Sequence, residues 1–387
     1  MLTTLAVDNY RSIRSLRLEL DALNVVTGAN GVGKSSLYRA LRLLASCASG
    51  GVVAALATEG GLASTLWAGP EMISDAMRRG DVPVQGTRRT ESVALRLGFM
   101  TDEFGYSIDL GYPPPARTAF GRDPEIKAES IWHAPQLRPS TLLSERKNAA
   151  VRLREPDGSW RQLLKPLDPG DSMLSQVADP VAAPDVLMVR EQVRRWRFYD
   201  HVRTDVDAPA RQSRLGTRTP VMSADGSDIA AALQTIIEVG DRGALDAIVD
   251  RAFPGSSVRV EVAEDGRFEV RLSQPGMLRP LGTTELSDGT LRFLLWAAAL
   301  LTPRAPELMV LNEPETSLHP DLLPALGELI VNASEHSQVI VVTHAAALSA
   351  IADKAGARAI ELVKDTGETL VAGQGRFDGP SWSWPKR

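Results

Sequence analysis

The sequence predicts an α/β fold in which helices cover a parallel sheet, and two observations lead to this prediction. The apolar run 23–27 enters a glycine-rich loop, and residues 37–44 leave that loop with apolar side chains at helical spacing. The final third of the chain then alternates helix, strand, helix, strand at 291–301, 308–311, 322–333 and 339–342. This alternation is typical of parallel sheets with helices on both faces.

Residues 92–164 predict an antiparallel β-subdomain. Apolar and polar residues alternate with a period of two in 92–100, 104–112 and 126–133, between turns rich in Gly, Pro and Asp. Asp157-Gly158 suits a hairpin tip and extends the region over 151–164. The opening segments 2–7 and 13–20 alternate in the same way and predict two further strands.

The sequence after about residue 170 predicts a helical subdomain, which separates an N-terminal lobe from a C-terminal lobe. A stretch rich in Pro, Asp and Gly at 166–184 marks a boundary. Helical periodicity follows at 185–196, 228–238 and 244–253, with Asp228 as the expected N-cap of the second helix. We therefore expect an N-terminal lobe over 1–169, a helical subdomain over 170–255 and a C-terminal lobe over 256–387. Heptads of coiled-coil length are absent from the sequence.

Composition indicates a soluble globular protein. The chain has 387 residues, 43% hydrophobic and 24% charged, with a net charge of −5. Such a charge gives no overall attraction to nucleic acids or membranes. The longest apolar runs, 51–57 and 293–301, are too short to cross a bilayer. The single cysteine, Cys47, excludes an internal disulfide and is expected in the core. We expect a cytoplasmic protein without membrane contact.

The stretch 28–35, Gly-Ala-Asn-Gly-Val-Gly-Lys-Ser, fits the pattern G-x-x-x-x-G-K-[ST] of phosphate-binding loops. Glycines let backbone N–H groups turn towards a polyphosphate, and the next helix presents its positive end. The lysine can reach the β- and γ-phosphates, and the serine hydroxyl can bind Mg²⁺. The predicted nucleotide-binding residues here are Gly28, Asn30, Gly31, Gly33, Lys34, Ser35 and Ser36.

An acidic segment follows the strand 308–311, in the layout of a Walker B motif. Asn312 would reach the Mg²⁺ shell, and Glu313 is placed to polarise the attacking water. Upstream, Ser287 and Gly289 open an apolar helix and form a second candidate anion site. Downstream, the strand 339–342 leads into His344, which can contact a γ-phosphate from the strand tip.

The order of these motifs resembles the ATP-binding-cassette (ABC) ATPases of the RecF/SMC-like branch. The similarity is greatest to soluble ABC-type "AAA family" ATPases, relatives of the OLD-family ATPase domain. It includes the opening 8–13, Asp-Asn-Tyr-Arg-Ser-Ile, the segment 225–230, Asp-Gly-Ser-Asp-Ile-Ala, and the stretch 313–320, Glu-Pro-Glu-Thr-Ser-Leu-His-Pro. The resemblance implies a P-loop ABC-type ATPase head with an antiparallel β-subdomain and a helical subdomain, without the coiled coil of SMC proteins.

The resemblance also implies roles for single residues. It gives ATP and Mg²⁺ as cofactors and an ATP-dependent homodimer as the working form. Ser287 and Gly289 would contact the γ-phosphate held by the opposite protomer. Glu313 would be the catalytic base and His344 the switch histidine. The remaining implied positions are a D-loop at 317–320, Arg11 near the nucleotide, and Gln136 as a candidate for the Q-loop glutamine.

Two positions depart from the family pattern. Position 312 is Asn where Asp is usual, and a neutral amide is a weaker partner for a hard cation than a carboxylate. Hydrolysis would then be slow, or Mg²⁺ would be held chiefly by Ser35 and the phosphates. Position 288, between Ser287 and Gly289, is Asp and would bring negative charge near the phosphate unless its side chain points away.

We therefore expect an ATP-hydrolysing, nucleotide-gated dimer, with a role in DNA repair or phage defence. Asn312 favours an alternative, a nucleotide-dependent switch or clamp with negligible hydrolysis that regulates a partner protein. The Arg-rich segment 190–197 suggests DNA as a partner. That segment also fits a solvated helix face with Trp196 and Phe198 packed inward.

Overall fold

The computed structural model describes residues 1–83, 92, 94–115, 117–200, 202–375 and 378–387. These residues form two compact units. The first, the β-unit, comprises 1–21, 28–196 and 360–387, and the second, the α/β-unit, comprises 22–27 and 197–359. These units divide the chain at other points than the boundaries at 169 and 255, so the three-part division stays a prediction.

The described strands are β1 (Leu2–Tyr10), β2 (Ile13–Glu19), β3 (Leu23–Thr27), β4 (Leu95–Thr101), β5 (Phe104–Gly111), β6 (Glu125–His133), β7 (Leu142–Lys147), β8 (Ala150–Arg154), β9 (Trp160–Gln162), β10 (Trp196–Tyr199), β11 (Arg214–Leu215), β12 (Ser257–Val262), β13 (Arg267–Ser273), β14 (Leu281–Gly282), β15 (Leu308–Asn312), β16 (Gln338–Val342), β17 (Arg358–Asp365) and β18 (Glu368–Val371).

The described α-helices are α1 (Lys34–Cys47), α2 (Val52–Thr58), α3 (Gly61–Thr65), α4 (Asp75–Arg78), α5 (Met173–Gln176), α6 (Pro184–Arg194), α7 (Ile229–Val239), α8 (Arg242–Ala252), α9 (Asp288–Leu300), α10 (Leu323–Ser334) and α11 (Ala346–Lys354). Two short 3₁₀ helices lie at Pro209–Arg211 and Pro320–Leu322.

An antiparallel sheet dominates the β-unit, in the order β2-β1-β4-β5-β6-β7-β8-β9. Alternating apolar residues of these strands, such as Leu97, Phe99, Tyr106 and Ile108, are buried, which is why period-two patterning identified them. The helix α1 is amphipathic and buries Leu37, Leu41 and Leu44 among other residues. This unit supplies the predicted antiparallel β-subdomain.

Parallel strands form the centre of the α/β-unit. β15 pairs with β16, and β16 pairs with β3, so that Asn312 lies opposite Val342 and Val342 opposite Val26. Buried side chains of α7 to α10 and of these strands share one hydrophobic cluster. The register brings the carboxyl ends of three strands to one edge, which is where parallel α/β sheets place functional loops.

Most predicted elements are confirmed, with shifted ends. The strand expected at 92–100 begins at Leu95, and residue 93 lies outside the described residues. The helix expected at 185–196 ends at Arg194 because the chain turns there into β10, which the sequence analysis missed. It also missed β7 and the hairpin of β17 and β18.

Two single-residue predictions have different outcomes. Cys47 is buried at the end of α1, as expected, and burial raises the pKa of its thiol. Asp228 occupies the N-cap position of α7, but its carboxylate does not cap the helix. Instead it accepts hydrogen bonds from the backbone N–H and the hydroxyl of Ser223, at 3.0 and 2.7 Å.

Helix lengths agree with a head domain without a coiled coil. The longest helix in the described part of the chain, α1, has 14 residues. None of the helices among the described residues combines the length and the apolar character needed to cross a bilayer.

Candidate functional site

The glycine-rich loop of the β-unit has the backbone conformation that phosphate binding requires. Gly28, Gly31 and Gly33 adopt φ values of 139°, 78° and 113°, a region that side chains disfavour. A Cβ at Gly28 would lie 2.3 Å from the carbonyl oxygen of Leu362. At Gly31, by contrast, a Cβ would meet nothing described within 4 Å, so this side of the loop is open to a ligand.

The hairpin of β17 and β18 holds the loop in place. The Thr369 hydroxyl, fully buried, donates to the carbonyl oxygen of Val32 at 2.6 Å and lies 2.8 Å from the hydroxyl of Ser12. A Cβ at Gly33 would lie 2.2 Å from that Thr369 hydroxyl oxygen, so only glycine fits. Sequence reasoning missed Thr369 because it lies 337 residues from Val32 and belongs to no local motif.

Lys34 and the first turn of α1 provide positive charge beside the loop. Lys34 is 5% exposed, and its Nζ donates to the carbonyl oxygens of Gly28 and Ala29 at 2.6 and 3.0 Å. Gly33 is the N-cap, no described side chain caps the helix, and its first turn contains no acidic residue. An uncapped helix start beside a buried ammonium suits a polyphosphate. The exposed residue Ser35 lies in this first turn and can offer its hydroxyl to Mg²⁺.

Arg11 is occupied by a contact within its own unit. Its Nη2 lies 2.6 Å from Oε2 of Glu59, which also accepts a hydrogen bond from Tyr10 at 2.7 Å. Burial and the neighbouring Glu59 raise the pKa of Tyr10. A nucleotide contact by Arg11 would require it to leave Glu59, and the predicted contact stays a prediction.

A second group of candidate residues, which is acidic, lies at the strand ends of the α/β-unit. Glu313 follows β15, has the left-handed φ of 50°, and donates its N–H to the carbonyl oxygen of Val342 at 2.8 Å. Its Oε1 lies 3.3 Å from Nε2 of His344, which follows β16. Both side chains are about half-exposed, at 42% and 38%. A non-glycine residue in this conformation is uncommon and is often found where function demands it.

Glu315 fixes the turn that carries His344. Its Oε1 accepts hydrogen bonds from the Thr343 hydroxyl at 2.6 Å, the His344 N–H at 2.7 Å and the Ala345 N–H at 3.1 Å. Its Oε2 is buried without a hydrogen-bond partner among the described atoms. The sequence analysis gave Glu315 no role, although its place in the acidic segment was a signal.

We expect Glu315→Ala to lower the free energy of unfolding by about 1–3 kcal/mol, because the Thr343 hydroxyl and the His344 N–H lose their acceptor, whereas the Ala345 N–H keeps the Thr343 hydroxyl oxygen. Turnover should also decrease, because the His344 turn is no longer held. Glu315→Gln keeps a carbonyl oxygen as acceptor and should retain most of the stability and most of the turnover. Urea denaturation and steady-state ATP turnover measure the two effects. Equal stability of Glu315→Ala and the parent would contradict this role.

The second candidate anion site, formed by Ser287 and Gly289, lies at the start of α9. Ser287 is the N-cap, and its hydroxyl accepts from the Thr290 N–H at 3.1 Å. The neighbouring Asp288 does not stand alone: its Oδ1 lies 2.7 Å from Nη2 of Arg211. Arg211 is largely buried and also donates to the carbonyl oxygens of Thr283 and Leu286 at 2.6 and 2.9 Å. The arginine therefore offsets the negative charge that the sequence placed beside Ser287.

The helix α9 is joined to the loop after β15. The Trp296 indole N–H donates to the Pro314 carbonyl oxygen at 3.0 Å inside the core. At the start of the helix, a Cβ on Gly289 would lie 3.2 Å from the Ser317 carbonyl oxygen. The start of α9 and the predicted D-loop at 317–320 are thus in contact, and glycine at 289 permits the close approach.

Gln136 and the Arg-rich segment contact their own surroundings. Gln136 lies in the exposed loop after β6, and its side-chain oxygen accepts from Arg138 at 2.7 Å. No hydrogen bond among the described residues links it to the loop at 28–35. Arg194 is exposed and pairs with Glu191 at 3.3 Å, whereas Trp196 is buried with its ring centroid 5.1 Å from that of Phe99. These contacts fit the interpretation as a solvated helix face.

Comparisons with known proteins agree with this arrangement. The profile of a family described as "AAA domain, putative AbiEii toxin, Type IV TA system" matches residues 23–350. No curated protein sequence matches the chain.

Two solved structures show the same fold. The SmcHead bound to the C-winged helix domain of ScpA has a TM-score of 0.52 and 13% identity, over 96% of this chain and 97% of that chain. The Smc head domain with an extended coiled coil, bound to the C-terminal domain of ScpA and derived from Pyrococcus furiosus, has a TM-score of 0.50 and 13% identity, over 96% and 95%. The predicted ABC-type, SMC-like fold is confirmed.

Proposed function

Because the chain belongs to the family described as "AAA domain, putative AbiEii toxin, Type IV TA system", we propose that it binds ATP with Mg²⁺ and hydrolyses it as a nucleotide-gated dimer. The observation that carries this proposal is the loop at 28–35. Its left-handed glycines, buried Lys34 ammonium and uncapped helix start form a site for a polyphosphate.

The chemistry divides between named groups. Lys34 and the N–H groups of the loop would bind the phosphates, and Ser35 and Asn312 are the residues that would hold Mg²⁺, which supplies positive charge to the phosphates when bound. Glu313 takes a proton from the attacking water as general base. His344, 3.3 Å from Glu313, orients that carboxylate and contacts the γ-phosphate. Ser287 and Gly289 would complete the site of a second copy.

A switch with negligible turnover is the second candidate, and Asn312 favours it. The amide brings no charge to Mg²⁺, so hydrolysis would be slow and the ATP-bound state would be long-lived. Such a protein would act on a partner. One similar structure is described as bound to a winged-helix domain of ScpA, and the family description names a toxin–antitoxin system. We propose an effector protein as partner and phage defence as the setting.

Steady-state phosphate release by the purified chain, with and without duplex DNA, separates these candidates. We expect Mg²⁺-dependent turnover that disappears in Lys34→Ala and is unchanged by DNA. Tight ATP binding without turnover would favour the switch. Stimulation by DNA would instead favour a DNA-repair role, and a chain that does not bind ATP would refute both candidates.

The dimer gives a second prediction, centred on Ser287. ATP supplies the negative charge that both the loop at 28–35 and the start of α9 recognise, so ATP binding and dimerisation should strengthen each other. We expect a dimer by light scattering with a non-hydrolysable ATP analogue. Ser287→Arg should prevent it by placing a bulky side chain where a hydroxyl fits, while ATP binding by the monomer persists.

Two further variants separate the loss of the shared site from a general effect of the substitution. Ser287→Asp keeps an N-cap acceptor for Thr290 but repels a phosphate, so it should prevent the dimer without loss of helix stability. Ser159→Arg adds the same bulk in the exposed turn between β8 and β9 and should dimerise like the parent. A parent that stays monomeric with bound analogue, yet turns over ATP independently of protein concentration, would refute the shared site.

A further inference from the structure

Asn312 has a charged neighbour that its place in the sequence does not reveal. Its amide Nδ2 donates to Oδ1 of Asp200 at 2.8 Å. Asp200 directly follows β10, and Asn312 is the last residue of β15, so both side chains leave at strand ends. The two residues are 112 positions apart in the chain.

The position of Asp200 is fixed by its neighbour in β10. Tyr199 is fully buried, and its hydroxyl donates to the Met222 carbonyl oxygen at 3.0 Å. Its ring packs edge-on against Trp296, with centroids 6.2 Å apart. Trp296 in turn donates to Pro314 in the loop after β15. One buried frame therefore holds both the residue before Asp200 and the segment after Asn312.

The hydrogen bond also orients the amide of Asn312. Because the NH₂ group of Asn312 donates to Asp200, the carbonyl oxygen Oδ1 of Asn312 lies on the other side of the amide group. A carbonyl oxygen can bind Mg²⁺ directly or accept a hydrogen bond from a water bound to Mg²⁺, but it carries no charge. The charge absent at position 312 is present on Asp200, one hydrogen bond away. Residues that contact a metal ligand in this way commonly tune metal affinity.

We propose that Asp200 and Asn312 act as one unit in place of a single carboxylate, with Asn312 presenting the oxygen and Asp200 the negative charge that retains Mg²⁺ on bound ATP. This inference rests on the proposed function and deepens it. It also answers the weakness that Asn312 would otherwise bring to hydrolysis, because the pair carries the same net charge as one aspartate.

The test measures nucleotide affinity rather than turnover. For each variant, the Kd of a fluorescent non-hydrolysable ATP analogue is measured in Mg²⁺ and in EDTA. The Kd in EDTA divided by the Kd in Mg²⁺ reports how strongly Mg²⁺ supports binding. In Asp200→Asn we expect this ratio to shrink by about 10–100-fold, as for other residues that support metal ligands. The Kd in EDTA should match the parent.

A charge exchange distinguishes this role from a structural one. The double variant Asp200→Asn/Asn312→Asp keeps one amide, one carboxylate and a hydrogen bond between them, and should restore the ratio to within about threefold of the parent. The control Asp246→Asn removes a carboxylate that is 48% exposed and pairs with Arg242 on α8, and should change nothing. A parent-like ratio in Asp200→Asn, or a double variant as weak as the single one, would overturn the proposal. Absence of analogue binding by the parent in both media would refute the proposed function itself.

Discussion

The Glu313→Gln variant is expected to bind ATP like the parent while its turnover decreases by about 10²–10⁴-fold, the range of general-base catalysis. Glutamine has the shape of glutamate but cannot accept a proton from water. The contact of position 313 with His344, 3.3 Å in the parent, would remain possible through the amide oxygen. The left-handed backbone at 313 and its hydrogen bond to Val342 do not depend on the side-chain charge.

Single-turnover and steady-state phosphate release measure this loss, and light scattering should show that the variant accumulates as a dimer with ATP. Glu328→Gln on α10 is the matched control, because it removes a carboxylate that is 45% exposed and pairs with Arg251. Parent-like turnover in Glu313→Gln would mean that another group is the base, and the Walker B assignment would then be wrong.

The sequence predicted the parts of the site that are local in the chain. The loop at 28–35 needs a fixed order of glycines, lysine and serine, and this order is visible without a structure. Glu313 and His344 follow short apolar runs that the sequence analysis interpreted as strands, and parallel strands bring their carboxyl ends to one edge. Their proximity was therefore predictable from spacing alone.

Contacts between distant segments were not predictable in this way. Thr369 supports the glycine-rich loop from a hairpin that the sequence analysis missed, and Asp200 follows a short strand, β10, that it also missed. Each is an ordinary residue in its local context. Arg211 is similar: it lies in a polar loop, and only the fold brings it to Asp288.

Asp200 also changes what a substitution at 312 should do. From the sequence alone, Asn312→Asp restores a missing charge and is expected to help Mg²⁺ binding. In the structure, Asp200 already lies 2.8 Å from that amide, so a second carboxylate would lose the hydrogen bond and repel the first. Only the exchange of both residues preserves the charge and the contact.

The Lys34→Ala variant is expected to bind ATP at least tenfold more weakly, a loss of about 1.4 kcal/mol or more, because a charge-assisted contact with the phosphates is removed. In the structure, the Lys34 ammonium is hydrogen-bonded to the backbone of the loop. Its Nζ donates to the carbonyl oxygens of Gly28 and Ala29 and is largely shielded from water. Without it, those oxygens face the phosphates with no intervening cation.

Lys364→Ala is the matched control for this prediction. Lys364 also donates to a carbonyl oxygen of the loop, that of Gly31 at 3.3 Å, but from an exposed position outside the motif. Its loss should alter ATP affinity by less than about threefold, as expected of exposed charges that solvent screens. Titration calorimetry with ATP gives both affinities, and circular dichroism confirms that each variant is folded. If a folded Lys34→Ala bound ATP as tightly as Lys364→Ala, the loop at 28–35 would not be the phosphate site.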